Sequence, residues 1–244
     1  FARYIFWLKE KFNCNIVFYI DEKNSHLFEN CPCEIETKIE NIKKVDFFQH
    51  LLSLQYIHFK KEKTFKKCIS FIPSEIKKEQ EWKKKLNHLR KPVIAIQWKG
   101  NKNFLDDQER SIPLKYFEKL IKDKNYSFIS LQKDNGSEEI KENNFQKYIN
   151  DFSDQIDFGN KSFDDTISIL KNVDLLISAD TGLKEIALTM GIKTFLLLNP
   201  NPDWRWHIQL REKSFYDDLK IIMTDKMNYW DNISDSILKE LKKI

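Results

Sequence analysis

From residue 92 onward the chain repeats one pattern, a short continuous apolar run followed by a polar segment with helical spacing. "PVIAIQW" (92–98), "YSFISLQ" (126–132), "VDLLISA" (173–179) and "KTFLLLN" (193–199) lack polar alternation, as expected of strands buried on both faces of a parallel sheet. Helices are expected between them at 113–122, 137–143, 162–172 and 182–190. Shorter strands are expected near "KYIND" and "LKIIMT", and a last helix in "YWDNISDSILKELKKI". Ser162 reads as the N-cap of its helix, with Asp165 at the capping-box position, and Gly191 as the residue that ends the 182–190 helix. Strands and helices in alternation predict an α/β chain on a doubly wound parallel sheet.

Residues 1–90 carry a weaker version of the pattern. A helix is expected at 2–12, strands at 15–20 and 33–38, a short helix in "EKNSHLFEN", and a highly charged helix at 73–90 opened by Pro73-Ser74. The segment "VDFFQHLLSLQ" (45–55) reads as compact and apolar, in a loop or short helix. This part begins on a helix, whereas doubly wound domains usually begin with a strand and a ligand-binding turn. It is therefore expected to be an incomplete domain, 1–90, joined near 86–91 to a second domain, 91–244.

Several function classes are excluded at this level. Charged residues are 32% of the chain but nearly balanced, at net +4, and the lysines are interspersed with Glu and Asp. No basic stripe with interleaved aromatics is present, so nucleic acid is not an expected partner. No run of about 18 apolar residues exists, so no transmembrane segment is expected. Cys14, Cys31, Cys33 and Cys68 have no common zinc spacing; they read as reduced thiols of a cytoplasmic protein without a signal peptide. There is no nucleophile elbow, Walker A loop, His pair at metal spacing or G-x-G-x-x-G, and the five histidines are scattered, so neither a metal nor a redox cofactor is expected.

In open α/β sheets, ligands sit beyond the carboxyl ends of the strands, near helix N-termini. Asp180-Thr181-Gly182 occupies such a place. It reads either as a plain N-cap or as a site for a phosphate or diphosphate on the free N–H groups of the next helix. Trp98-Lys99-Gly100-Asn101 and Arg110-Ser111 follow the first strand of the series, and Gln132-Lys133 ends the second. "NPNPDWRW", with Asp203, Trp204 and Arg205, follows a fourth; its tryptophans suit stacking on a base, or else form an aromatic cover over the core. Four polar strand ends on one edge fit a nucleotide-diphosphate pocket.

The segments "IAIQWKGNKNF…ERSIPL", "FISLQKD", "SFDDTISILKNVDLLISADTGLKEIALTMGIKTFLLLNPNPDWRW" and "YWDNISDSI", in that order, resemble the glycosyltransferase domain of bacterial tetratricopeptide-repeat proteins. These are relatives of the family 9, heptosyltransferase-like glycosyltransferases. The likeness runs from about residue 92 to 240; residues 1–90 fit more loosely. It implies a GT-B fold of two Rossmann-like domains with parallel sheets, the N-terminal one incomplete and on the acceptor side, the C-terminal one holding a sugar nucleotide. It implies inverting, metal-independent transfer to a glycan, lipid or protein hydroxyl, with peripheral membrane contact as a further expectation. By the same resemblance Asp180, Thr181, Gly182, Lys99, Asn101, Arg110, Ser111 and position 185 would face the donor diphosphate. Trp98, Gln132, Lys133, Asp203, Trp204 and Arg205 would line the nucleoside side. Two departures stand out. The family's His four residues after the Thr is Glu185 here, and the G-x-G-D loop would precede Phe1, so no catalytic base is assigned. The alternative expectation is a sugar-nucleotide or glycan-binding module without catalysis.

Overall fold

A computed structural model of the chain describes residues 1–105, 107–212 and 215–243, the side chains of residues 211 and 212 apart. Six strands form one parallel sheet: β3 (Val93–Gln97), β4 (Ser127–Ser130), β5 (Ile149–Asp151), β6 (Leu175–Ser178), β7 (Thr194–Leu198) and β8 (Leu219–Met223). Their spatial order is β5-β4-β3-β6-β7-β8, with Ala95 opposite Ile129 on one side and Leu176 on the other. The chain thus winds outward from β3 to β5, crosses back, and winds outward again from β6 to β8. Where the direction reverses, between β3 and β6, no crossover covers the strand ends, and a crevice opens.

Alternate residues of each strand feed two layers. Ile94, Ile96, Phe128, Leu175, Ile177, Phe195 and Leu197 pack with α6 (Glu118–Ile121), α7 (Glu139–Glu142) and α11 (Ile233–Leu241). Val93, Ala95, Ile129 and Leu176 pack on the other face with α4 (Ile76–Leu86), α8 (Asp164–Leu170) and α9 (Gly182–Thr189). The charged helix α4 belongs to this layer because Trp82 and Leu86 make a buried stripe among its lysines. The segment expected as one helix at 113–122 is instead a 3-10 turn over Leu114–Phe117 running into α6.

The expected cap of α8 is corrected. Ser162 does not cap it; the residue before the helix is Phe163, at φ 63°. The cap comes from Asp157, whose Oδ1 accepts the N–H of Asp165 at 2.7 Å and of Thr166 at 3.2 Å. Asp165 replies by accepting the N–H of Asp157 at 2.9 Å, so the reciprocal capping pair has a different first member.

The N-terminal part contains α1 (Arg3–Phe12), β1 (Val17–Tyr19), α2 (Glu22–Ser25), β2 (Glu34–Glu36) and α3 (Leu54–Glu62). β1 and β2 form a separate two-stranded parallel sheet. The segment 45–55 is not packed as its composition suggests: Phe47 is 93% exposed and Phe48 77%. In α3 only Leu54, Gln55 and His58 are buried, while Tyr56 and Phe59 face out. Arg3 ties α1 to the large sheet's side of the molecule. It donates to the Tyr216 hydroxyl at 2.9 Å and to the Phe215 carbonyl at 3.4 Å, with its guanidinium 4.8 Å from the centre of the Tyr216 ring.

Candidate functional site

The strand ends that border the crevice are Gln97–Trp98 of β3 and Ser178–Ala179 of β6. α9 starts three residues beyond Ala179, and Thr181 and Asp180, both good capping residues, stand before it. Neither caps it. The Thr181 hydroxyl donates to the Gln97 side chain across the crevice. The Asp180 carboxylate turns away instead, accepting the Trp206 indole N–H at 2.8 Å and pairing with Lys184 Nζ at 2.8 Å. Among the described residues no side chain or carbonyl accepts the N–H of Gly182, Leu183 or Lys184. Nothing lies within 4 Å of where a Cβ on Gly182 would stand. The first turn of α9 therefore carries three N–H groups without a partner among the described residues and the positive end of a helix dipole, opened to the surface at Gly182, with Leu183 and Lys184 buried behind it.

The loop after β3 forms one wall. Arg110 donates to the Asp180 carbonyl at 3.2 Å and pairs with Asp107 at 3.0 Å. Ser111 donates to the other Asp107 oxygen at 2.9 Å and accepts the Gly100 N–H at 3.1 Å. A Cβ on Gly100 would stand 2.5 Å from Asp107, so this closure needs glycine. Asp107 opens the one-turn helix α5 (Asp107–Arg110), which sequence reasoning passed over; the signal was the spacing Asp-x-x-Arg-Ser. Asn101 is exposed at the tip and caps a turn through the N–H of Asn103.

The end of β4 holds this loop from behind. Gln132, 2% exposed, accepts the N–H groups of Trp98 and Lys99 at 3.0 and 2.9 Å and donates to the carbonyls of Lys99 and Asn135 at 3.2 and 2.7 Å. All four of its hydrogen-bonding positions are used within the chain. Trp98 is buried in the core rather than at the crevice surface. Lys99 pairs with Glu139, and Lys133 donates to the Asp157 carbonyl at 2.8 Å over the Phe158 ring, away from Asp180. Between this loop and the start of α11 lies an open cavity of about 460 Å³, bordered by Lys99, Lys102, Phe104, Tyr116 and Trp230. Its volume suits a nucleoside or a sugar.

The third wall is α10 (Trp204–Glu212), a helix where the sequence suggested only a Pro-stiffened loop. Asp203 accepts the Arg205 N–H at 3.0 Å, as an N-cap does. Trp204 is half exposed at the rim, whereas Trp206 is buried, with Lys184 Nζ 4.7 Å from its ring centre. Glu185, at the position of the expected His, pairs with Lys184 at 2.9 Å and Arg205 at 3.1 Å and accepts the Tyr216 hydroxyl. Burial alone would push its carboxyl up, but Lys184, the Tyr216 hydroxyl and Arg205 outweigh that and hold it at about 2. Burial and the Glu185 charge push the Tyr216 hydroxyl well above its usual value, so it remains a donor. Tyr216 gave no local signal, because it meets Glu185 from 31 positions away. Among the described residues, no group of three or more His, Cys, Asp or Glu could hold a metal ion, and no helix is long and apolar enough to cross a membrane.

No family model matches the chain, and no curated protein matches it by sequence. Solved structures do. A glycosyl transferase family 9 protein from Veillonella parvula DSM 2008 aligns over 98% of this chain and 86% of its own, with a TM-score of 0.61 at 12% identity. The ADP-heptose lps heptosyltransferase II of E. coli aligns over 70% of this chain with a TM-score of 0.50 at 13% identity. The chain spans about half the length of that enzyme, 52%. The strand order, the crevice between β3 and β6 and these likenesses agree: the chain has the fold of the family 9, heptosyltransferase-like glycosyltransferases of GT-B architecture.

Proposed function

We propose that this chain belongs to a glycosyltransferase that moves a sugar from a nucleotide-diphosphate donor to a hydroxyl of a cell-surface glycan, lipid or protein. The observation that carries this reading is the uncapped start of α9. Its capping residues, Asp180 and Thr181, are held by Trp206, Lys184 and Gln97, and its unpartnered first turn is open at Gly182, at the switch point of the sheet. An anion is the natural ligand of that arrangement.

The chemistry follows from what leaves. An acceptor oxygen attacks the anomeric carbon, the bond from that carbon to the diphosphate oxygen breaks, and one displacement inverts the centre. Charge grows on the departing diphosphate, where preorganised donors lower the barrier. The α9 N–H groups and the Arg110 guanidinium would do this here without a metal. An acidic group would take the acceptor's proton; no residue of this chain is assigned that part. The cavity beside Tyr116 and Trp230 is of the right size for the nucleoside.

The test is a thermal-shift panel with ADP, UDP, GDP, CDP and dTDP, with magnesium and with EDTA. A ligand at 100 times its Kd stabilises by about 2.7 kcal/mol, roughly 5–10 °C for a chain of this size. One diphosphate is expected to give this shift equally with EDTA. Gly182→Ala is expected to fold unchanged and to lose the shift, because its Cβ would enter the space in front of α9. No shift with any of the five sinks the donor reading. A binding module without catalysis is the second reading, favoured by the engagement of Glu185 with Lys184, Arg205 and Tyr216. A diphosphate shift without sugar transfer by the protein including its preceding segment would select it.

A further inference from the structure

The ion pairs around the crevice are arranged unlike those of an empty phosphate site. Four cations of the crevice walls already have a carboxylate, whereas Lys102 at the cavity border and Arg3 beside Glu185 pair with none among the described residues. Lys99 is paired with Glu139, Arg110 with Asp107, Lys184 with Asp180 and Glu185, and Arg205 with Glu185 and Asp203. Four cations meet five carboxylates, so a diphosphate at the start of α9 would meet cations that are already engaged.

Of the five carboxylates, Glu185 is placed differently. Asp180 and Asp203 each also hold an indole or backbone N–H, Glu139 accepts the N–H of Leu114, and Asp107 holds one cation, Arg110, with the Ser111 hydroxyl of its own loop. Glu185 gathers two cationic side chains and a hydroxyl and no backbone group: Lys184, Arg205 and Tyr216. That is the donor set of a bound phosphate oxygen, met by an acid of the chain itself. The position fits as well. Lys184 Nζ lies 3.2 Å from the Thr181 carbonyl and 2.9 Å from Glu185 Oε1. The carboxylate oxygen is thus held within about 6 Å of the first turn of α9. Between Glu185, Arg205, Tyr216 and Arg3 only about 10 Å³ is left, room for one water.

We propose that Glu185 is an internal anion that stands in for a donor phosphate, and that a nucleoside diphosphate binds by taking Arg205 and Lys184 from it. This rests on the donor reading above and adds what sets its strength. The first phosphate would meet the free N–H groups of α9, which Glu185 does not touch. The second must compete with Glu185. The residue therefore discriminates by charge, weakening nucleoside diphosphates while leaving monophosphates nearly unaffected. Because Tyr216 is also the residue that Arg3 of α1 holds, the release of Glu185 would be felt by the N-terminal part.

The experiment is calorimetric titration of the unaltered chain and of Glu185→Gln with ADP and AMP, and with the other diphosphate–monophosphate pairs. Gln keeps the size and still accepts the Tyr216 hydroxyl, but releases both cations from one charge, leaving Lys184 with Asp180 and Arg205 with Asp203. The proposal expects the diphosphate Kd to fall at least tenfold in Glu185→Gln, the monophosphate Kd to change less than threefold, and the gain to vanish in Glu185→Gln/Arg205→Gln. If Glu185→Gln fails to fold, Tyr216→Phe serves instead. It removes one tether on Glu185 without changing any charge, and a severalfold gain for the diphosphate alone is expected. Equal diphosphate affinity in wild type and variant overturns this proposal and leaves the donor reading standing. No nucleotide binding by either protein overturns both.

Discussion

Replacing Gln132 with Leu should cost stability out of proportion to the small change in size. The side chain is 2% exposed and makes four hydrogen bonds, to Trp98, Lys99 and Asn135, that hold the end of β3 and the loop after it. Leu fills the space but strands two N–H groups and two carbonyls. Each neutral bond contributes about 1 kcal/mol net, and each buried group left without a partner costs about 1–3 kcal/mol. The Trp98 N–H is the deepest of the four, whereas the Lys99 groups are nearer the surface and can turn to water. With those discounted and a gain for the apolar side chain, the expected loss is about 3 kcal/mol. Urea unfolding followed by tryptophan fluorescence measures it. With a slope of about 3 kcal/mol/M for a chain of this size, the midpoint should fall by about 1 M at unchanged slope. Gln132→Met, flexible and equally unable to bond, should match Leu. A midpoint within about 0.2 M of wild type for both would refute the reasoning and return Gln132 to the surface of the ligand pocket.

Two further outcomes follow from the charges and caps. The Glu185 carboxyl, at about 2 against an ordinary 4.5, stabilises the fold fully above pH 4.5 and loses that contribution as pH falls toward 2. Melting temperatures of wild type should exceed those of Glu185→Gln at pH 7, and the margin should shrink between pH 4.5 and 2; a constant margin would contradict the ion cluster. Asp157→Ala should lower stability by about 1–2 kcal/mol by uncapping α8, while Ser162→Ala should stay within about 0.5 kcal/mol in the same urea measurement.

The large sheet was readable because its strands are buried on both faces, so "VIAIQ", "LLIS" and "TFLLL" show as apolar runs whatever surrounds them. Gly191 was readable because a helix stop at φ 73° calls for glycine. The same logic failed where partners are distant in sequence. Asp157 caps α8 from the far side of a loop, and a nearer Ser satisfied the local pattern equally well. Asp180 and Thr181 looked like caps because local spacing says nothing of Trp206 or Gln97, which claim their side chains. Two prolines hid α10, although both precede its first turn, where proline is no obstacle. The apolar letters of 45–55 suggested burial, yet letters do not say whether a neighbour exists to cover them; Phe48 meets the ring of His50 in its own segment edge to face, and both it and Phe47 stay exposed.

The reversal of strand order between β3 and β6 makes the crevice a seam between two units of like construction. One runs from β3 to β5 and carries the wall built on Gly100, Asp107 and Arg110; the other runs from β6 to β8 and carries the α9 and α10 walls. At the crevice they meet along the β3–β6 ladder, through the Arg110 bond to Asp180, the Thr181 and Ser178 bonds to Gln97, and the Asn199 bond to the Glu109 carbonyl. Few residues therefore belong to both walls. Selection can rewrite the loop after β3, and with it the cavity beside Trp230, while the start of α9, where we propose the phosphate binds, keeps its own framework and needs only Arg110 from that loop. A scaffold divided in this way lets the choice of ligand drift while the means of holding its charge is inherited intact.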